Sequence, residues 1–169
     1  MWSNRQTHFR TTTSSPSYAT SPARNKSISV EQVLTKWGRI DVLVNNAGIT
    51  DDNKSVADST LVVWRRVMGI NIEGPMFLMR AVMPHMLKNE MPERGSIVNV
   101  CSAAAARGAV AGATYTSSKH ALLGLARNTA WMHRHDGIRC SAVLPEGIRT
   151  NIVENSGRMI DLSNFCTQL

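Results

Sequence analysis

The chain has 169 residues, of which 43% are hydrophobic, and it carries a formal net charge of +7 at pH 7. This length and apolar content are typical of one globular domain with one core. Positive and negative residues are interspersed beyond residue 30, and no apolar run is long enough to span a bilayer, so we expect neither nucleic acid nor a membrane as a partner.

Residues 1–29 are predicted to form a disordered, polar and basic leader. The first 30 residues hold four basic residues and no acidic one, and their apolar residues follow neither a helical nor a strand-like period. An arginine-bearing, Ser/Thr-rich and acid-free N-terminus is also typical of mitochondrial presequences, but an amphipathic apolar face is missing here. We expect a cytoplasmic protein, with mitochondrial import as one alternative and an artefact of exon choice or translation start as another.

Short apolar strands alternate with helices in the remaining residues, 30–169. The strands are predicted at residues 39–45, 95–102 and 137–145, and the helices at roughly 61–87 and 117–135; residues 29–37 resemble the end of a further helix. This alternation indicates an α/β fold with a parallel sheet and right-handed crossovers. Ser102 then lies at the carboxyl end of a strand, where open parallel sheets bind ligands.

Pro75 identifies a second candidate position, Asn71. Proline has no N–H group, so Pro75 cannot donate to the carbonyl of Asn71 four residues earlier. The helix is therefore predicted to kink there, and the freed carbonyl needs another partner, for which a bound water is suitable. A proline kink without a functional role is the alternative interpretation.

Tyr115 and Lys119 are spaced to lie on one face of a helix, four positions apart. An adjacent ammonium favours the phenolate form, so we expect Lys119 to lower the pKa of Tyr115 toward the range useful for acid–base chemistry. Ser102 could donate a hydrogen bond to a substrate oxygen while the phenol moves a proton. For the bare spacing alone, a solvated tyrosine and lysine on an ordinary helix is the commoner explanation.

Five motifs in one register are more specific than any of them alone. Over about residues 30–152 the chain resembles the short-chain dehydrogenase/reductase family, of the ordinary, non-extended type. The motifs are Asn45-Asn46-Ala47-Gly48, Asn71, Ser102, Tyr115 with Lys119, and a degenerate Pro145-Glu146-Gly147-Ile148-Arg149-Thr150. The resemblance implies a Rossmann-like doubly wound parallel sheet and an NAD(P)-dependent oxidoreductase that interconverts a secondary alcohol and a ketone of small-molecule size.

The resemblance also implies a role for each matching residue. Tyr115 would be the general acid/base, and Lys119 would hydrogen-bond the nicotinamide ribose. Ser102 would orient the substrate carbonyl, and the carbonyl of Asn71 would hold a relay water. The cofactor, NAD or NADP without distinction, would contact Tyr115, Lys119 and two further groups: Asn45, Ala47 and Gly48 on the adenosine side, and Pro145, Gly147, Ile148 and Thr150 at the nicotinamide end.

The sequence departs from the family pattern at both ends. No glycine precedes Gly38, so the first strands and the glycine-rich loop that receives the pyrophosphate are predicted to be missing. Only nineteen residues follow Thr150, which predicts that the last strand is missing as well. Glu146 interrupts the Pro-Gly pair and would repel the anionic cofactor. The alternative function is therefore a catalytically silent truncated isoform or fragment that associates with intact subunits.

Other features point to packing rather than to chemistry. Four methionines, Met76, Met79, Met83 and Met86, recur at helical spacing, which is typical of a core or an interface. By resemblance to the family, we expect a homo-oligomer through the helices bearing Met76–Met86 and Tyr115–Lys119. His133 and His135 are two positions apart, which does not suit a shared metal, and the three cysteines have no metal spacing and agree with a reducing compartment.

Overall fold

A three-stranded parallel sheet forms the centre of the chain. The computed structural model describes residues 22–147, with side chains from residue 30 onward. In chain order its elements are α1 (Pro22–Trp37), β1 (Val42–Asn45), α2 (Leu61–Met68), a π-helical turn (Gly69–Glu73), α3 (Gly74–Met86), β2 (Gly95–Val100), a 3-10 turn (Ala103–Ala105), α4 (Ala113–Met132) and β3 (Ile138–Val143).

The strands lie in the order β1-β2-β3, and both pairs are parallel. Ile97 occupies the centre of the sheet, opposite Leu43 on β1 and Cys140 on β3. Parallel neighbours need crossover connections, which α2 with α3 and then α4 provide. The predicted α/β fold with a parallel sheet is therefore confirmed, and the sheet has three strands within residues 22–147.

Two helix boundaries differ from the sequence prediction. Helix α1 begins at Pro22, inside the segment predicted as leader, and the rest of that leader, residues 1–21, lies outside the described residues. Helix α4 begins at Ala113 and ends at Met132, whereas the pattern predicted residues 117–135. Its early start depends on a cap supplied by a distant segment, which apolar spacing along the helix does not reveal.

The predicted long helix over residues 61–87 is divided into three parts. Thr60 caps α2 by accepting from the N–H of Val63, with an N–O distance of 3.3 Å. After α2 the backbone hydrogen bonds change from the four-residue to the five-residue spacing: the N–H of Gly74 donates to the carbonyl of Gly69, five residues back. Because Pro75 has no N–H to continue the ordinary spacing, a π turn interrupts the helix before α3.

Two apolar clusters hold these elements together. The larger one packs α1 and α3 against the sheet and includes Val30, Met79, Met86, Ile97 and Ile138. The smaller one packs α4 against the end of β2 and comprises Cys101, Ala105, Leu122 and Leu123. Two of the four predicted methionines thus lie in the core. Within residues 22–147 no helix is both long and apolar enough to cross a bilayer.

Candidate active site

The candidate site forms where the carboxyl ends of β1 and β2 meet the first half of α4. Tyr115 and Lys119 lie one helical turn apart on the buried face of α4, with 8% and 3% of their surfaces exposed. The Nζ of Lys119 lies 5.5 Å from the centre of the Tyr115 ring. It also donates to the carbonyl oxygen of Val100 at the end of β2, over 3.0 Å, which ties the helix to the sheet.

Ser102 follows β2 directly and begins the 3-10 turn. Its hydroxyl oxygen accepts from the N–H of Ala104 over 3.2 Å, so the side chain is held by the local backbone. The same side chain is hydrogen-bonded to Tyr115. The structure therefore brings together the three residues Ser102, Tyr115 and Lys119 that the sequence placed in one site.

Asn71 is fully buried in the π turn and connects three segments through its side chain. Its Oδ1 accepts from the N–H of Ile49 at 2.9 Å, and its Nδ2 donates to the Ile49 carbonyl and to Ser118 Oγ, each at 3.0 Å. Ser118 Oγ in turn donates to the carbonyl of Tyr115 at 2.7 Å. The side chain of Asn71 thus fixes the loop after β1 against α4; a relay water at its carbonyl stays a prediction.

Gly48 lies against this same group of residues. A Cβ atom added at Gly48 would meet Asn71 Oδ1 and Lys119 Nζ, both at 3.4 Å. A larger side chain at this position would crowd the lysine, so the loop after β1 contributes open space to the site. Of the predicted neighbours, Ala47 is exposed and lies beside Gly48 in the same loop.

The electrostatics of Tyr115 correct one expectation from the sequence. Burial raises its pKa above the usual 10.0, the Ser102 hydrogen bond opposes that rise, and the nearby Asp51 and Cys101 add to it. Burial also lowers the pKa of Lys119 below 10.5, because the apolar surroundings disfavour its charge. The pKa of Tyr115 is raised overall and Lys119 is not among the groups that shift it, so the prediction that Lys119 lowers this pKa is wrong.

Asn45 braces the sheet through its side chain. It is 4% exposed, and its Nδ2 donates to Asn99 Oδ1 on β2 over 2.9 Å. Asn99 in turn donates to the sulfur of Cys140 on β3 at 3.4 Å, so a polar chain crosses all three strands. The Oδ1 of Asn45 is buried and has no hydrogen-bond partner among the described residues.

The loop after β3 reaches the loop after β2. The carbonyl of Pro145 accepts from the N–H of Ala103 at 2.9 Å, next to Ser102. Glu146 is exposed and pairs with Arg107 over 3.3 Å, so a cation already stands beside the carboxylate that was expected to repel a cofactor. Gly147 is exposed at the end of the described range, and Ile148 and Thr150 lie outside it.

Sequence reasoning missed three polar residues that support the site. Asn99 and Ser118 are fully buried and make the contacts described above. Asp51 is 7% exposed, and its carboxylate accepts from the backbone N–H of Tyr115 at 2.8 Å. These two residues are 64 positions apart, and only the position of Asp51 in a loop directly after a predicted strand could have singled it out.

His133 and His135 lie in the turn that follows α4. His133 Nδ1 lies 2.7 Å from a carboxylate oxygen of Asp136, which makes it part of the turn after α4. Across residues 22–147 there is no group of three His, Cys, Asp or Glu side chains that could hold a metal ion.

Comparison with known proteins gives a consistent result. A family profile of short chain dehydrogenases matches residues 18–161. The short chain dehydrogenase adrF of Penicillium rubens is 48% identical over 127 residues, which is 75% of this chain and 49% of that protein. The short-chain dehydrogenase/reductase olcF of Penicillium canescens is 47% identical over 118 residues, 70% of this chain and 45% of that protein.

Solved structures show the same architecture. Levodione reductase superposes with a TM-score of 0.75 and 31% identity, covering 84% of this chain and 54% of its own. ElxO with NADP bound superposes with a TM-score of 0.74 and 30% identity, covering 84% of this chain and 57% of its own. The chain spans about half the length of the curated relatives it matches. By its matching profile, its relatives and its Rossmann-type sheet, the chain belongs to the short chain dehydrogenase family.

Proposed function

We propose that this chain carries the acid–base site of an NAD(P)-dependent oxidoreductase that interconverts a secondary alcohol and a ketone. The observation that carries the proposal is the buried Tyr115, hydrogen-bonded to Ser102 with Lys119 one turn away. A proton donor and a second hydrogen-bonding hydroxyl, held together at the carboxyl ends of parallel strands, suit a reaction at a carbonyl oxygen.

The described residues fit a dinucleotide at the nicotinamide side. A lysine ammonium has three N–H donors, and its bond to Val100 uses one of them, which leaves donors for a ribose hydroxyl. Gly48 keeps the space beside that ammonium open. NADP is bound in the related ElxO structure, which supports a nicotinamide dinucleotide as the cofactor here, with NAD and NADP both open. Such a cofactor, when bound, supplies or accepts the hydride.

The residues of the chain then provide the proton and the orientation. Tyr115 is protonated near neutral pH, and burial raises its pKa further, so the phenol is in the form that donates to a carbonyl oxygen. The Ser102 hydroxyl, fixed by the backbone of Ala104, orients the same oxygen. Asn71 holds the loop after β1 in place through its contacts with Ile49 and Ser118.

The hydroxyl of Tyr115 provides the direct test. We expect Tyr115→Phe to reduce turnover of ketones and secondary alcohols by about 10²–10⁴-fold, the usual contribution of a general acid or base. Tyr18→Phe removes the only other phenol of the chain and is the matched control, expected to keep full activity. Full turnover in Tyr115→Phe, across a carbonyl panel with NADH and with NADPH, would falsify the proposed function.

Cofactor binding tests the site independently of the substrate. We expect NADH or NADPH to bind saturably in a fluorescence titration, and Lys119→Ala to weaken that binding. Lys88→Ala, which removes an exposed ammonium after α3, serves as the control. Binding that is unaffected by Lys119→Ala would show that the dinucleotide does not use this site.

The second candidate function is a catalytically silent subunit that associates with an intact relative. Within residues 22–147, β1 pairs with β2 alone, so its other edge is unpaired there, and Val42 on it is 41% exposed. A strand edge of this kind favours association with another chain. Co-purification with a full-length relative, in the absence of intrinsic turnover, supports this candidate, whereas measurable turnover of the chain alone rejects it.

A further inference from the structure

The N-terminus of α4 has no cap of its own. Gly112 occupies the N-cap position and has no side chain to accept from the first N–H groups of the helix. Asp51, in the loop after β1, fills that role from a distance. Its Oδ2 accepts from the N–H of Tyr115, the third residue of α4, at 2.8 Å, and its Oδ1 accepts from the N–H of Asn53 at 3.1 Å.

The absence of a side chain at Gly112 makes this contact possible. A Cβ atom at Gly112 would lie 2.5 Å and 2.7 Å from the two carboxylate oxygens of Asp51 and 2.8 Å from the Cα of Asn53. Real Cβ atoms essentially never approach other atoms so closely, and the Asn53 Cα belongs to the backbone and cannot simply rotate away. Asp51 and the start of α4 are therefore fitted to each other.

Two further contacts join the same loop to the same helix turn. The carbonyl of Lys54 accepts from the N–H of Ala113 at 2.9 Å. The hydroxyls of Ser59 and Thr114 are hydrogen-bonded at 2.8 Å. The loop thus holds the first three residues of α4, and the last of these is the acid–base candidate Tyr115.

We propose that Asp51 is a positioning residue for the reaction, which caps α4 through the backbone of Tyr115 and thereby sets the place of its hydroxyl beside Ser102. This inference rests on the proposed function of Tyr115. The carboxylate also suits the helix N-terminus, where the unpaired N–H groups and the helix dipole stabilise negative charge. A single buried carboxylate therefore acts on the catalytic phenol through both geometry and charge.

The charged and titratable groups that face Tyr115 come from three elements. Asp51 lies in the loop after β1, Cys101 follows β2, and Lys119 lies on α4 itself. Asp51 and Cys101 both raise the pKa of Tyr115, and Asp51 contributes the larger share. Removing the negative charge of Asp51 must therefore let the phenol ionise at lower pH.

Tyrosine absorbance measures this effect without any substrate. The chain has only two tyrosines, so Tyr18→Phe leaves Tyr115 as the sole phenol, and its ionisation can be followed in the near ultraviolet. In that background we expect Asp51→Asn to shift the titration midpoint to lower pH. Asp52→Asn removes the same charge one position away and is the control, with no shift expected.

Amide exchange measures the geometric part at neutral pH. Asparagine keeps one carboxamide oxygen for the N–H of Tyr115, whereas alanine keeps none. We expect Asp51→Ala to accelerate exchange of the Tyr115 amide by about fivefold, as for loss of a typical helix cap, and Asp51→Asn to restore most of the protection. Equal protection in the parent and in Asp51→Ala, or an unchanged phenol midpoint in Asp51→Asn, overturns the proposal.

Neither readout requires turnover, so the two proposals can fail separately. If Tyr115→Phe keeps full activity, the proposed function fails even where the exchange and titration behave as expected. If Tyr115→Phe is inactive but Asp51→Asn leaves the phenol midpoint unchanged, only the role of Asp51 is rejected.

Discussion

At the scale of single residues, the groups around Tyr115 shift the pKa of its phenol in opposite directions. Burial and the nearby Asp51 and Cys101 raise its pKa, while the hydrogen bond with Ser102 lowers it. Lys119, whose own pKa is lowered by burial, orients the region through Val100 rather than dominating the charge balance. The chain therefore favours a proton-donating tyrosine at neutral pH, as reduction of a carbonyl requires.

The first consequence concerns the pH dependence of the two reaction directions. Alcohol oxidation needs the phenolate of Tyr115 to accept a proton, and ketone reduction needs the phenol to donate one. Because the pKa of Tyr115 is raised above 10.0, we expect oxidation to accelerate with pH into the alkaline range and reduction to decline only as pH passes that pKa. Initial rates in both directions across pH measure this, and an oxidation rate that is already constant at neutral pH contradicts it.

Ser102 gives a second prediction, of opposite sign to that for Asp51. Its hydrogen bond lowers the pKa of Tyr115, so Ser102→Ala is expected to move the phenol midpoint to higher pH in the Tyr18→Phe background. Loss of a hydrogen bond to the charged form costs roughly 1.5–3 kcal/mol, which corresponds to a tenfold to hundredfold loss of turnover. Ser117→Ala, at an exposed position on α4, is the control that should change neither value.

Spacing along the chain, together with the family motifs, predicted Ser102, Tyr115 and Lys119 as one group. A helix places residues four apart on one face, and a strand end places Ser102 at the ligand-binding edge of the sheet. The direction of the pKa shift was not predictable, because it depends on the burial of Tyr115 and on Asp51, which approaches from 64 positions away. Contacts of that range are properties of the folded chain rather than of a local pattern.

At the scale of elements, α4 depends on a glycine at its first turn. Gly112→Ala places a Cβ atom 2.5 Å from the Asp51 carboxylate, and we expect it to lower the free energy of unfolding by about 1–3 kcal/mol, as overpacking does. Gly124→Ala makes the same change on the same helix with no atom within 4 Å, and is expected to stabilise by about 0.5–1 kcal/mol. Urea unfolding of the two variants compares them directly, and equal effects would mean that the cap is not tightly packed.

Element types were predictable and their boundaries less so. Apolar runs that follow a glycine predicted β2 and β3, and the apolar run that ends at Asn45 predicted β1. The start of α4 was placed four residues late, because the cap comes from Asp51 rather than from Gly112. Pro75 indicated an irregular helix, and the irregularity is a π turn, whose five-residue bond accommodates the missing N–H.

At the scale of the whole molecule, an unpaired strand edge in a short sheet affects solubility. Within residues 22–147 the sheet ends at β1, and Val42 is 41% exposed there. We expect the purified chain to self-associate, and Val42→Lys to reduce this association, because a charge on a sheet edge opposes edge-to-edge pairing. Size exclusion with light scattering measures it, with Val56→Lys as a control at an exposed loop position. A single monomer peak with a cooperative melt would contradict the prediction.

Family resemblance was predictable from motifs that the fold brings together. Asn71 and Tyr115 are far apart in sequence and are joined through Ser118, while Asn45 is bonded to Asn99 in the sheet. The extent of the match, about half of each curated relative, agrees with the three-stranded sheet. Cofactor preference and substrate were not predictable, because neither depends on the motifs that identify the family.

The π turn at Gly69–Glu73 constrains which insertions and deletions the chain can tolerate. Such a turn is equivalent to an α-helix that contains one surplus residue. Deleting one residue before Asn71 in that turn would remove the surplus residue, yet it would rotate Asn71 against the preceding helix by about 100°. Asn71 would then lose its reach to both Ile49 and Ser118. A deletion that shortens this turn is therefore expected to break the contacts of Asn71 in the candidate site.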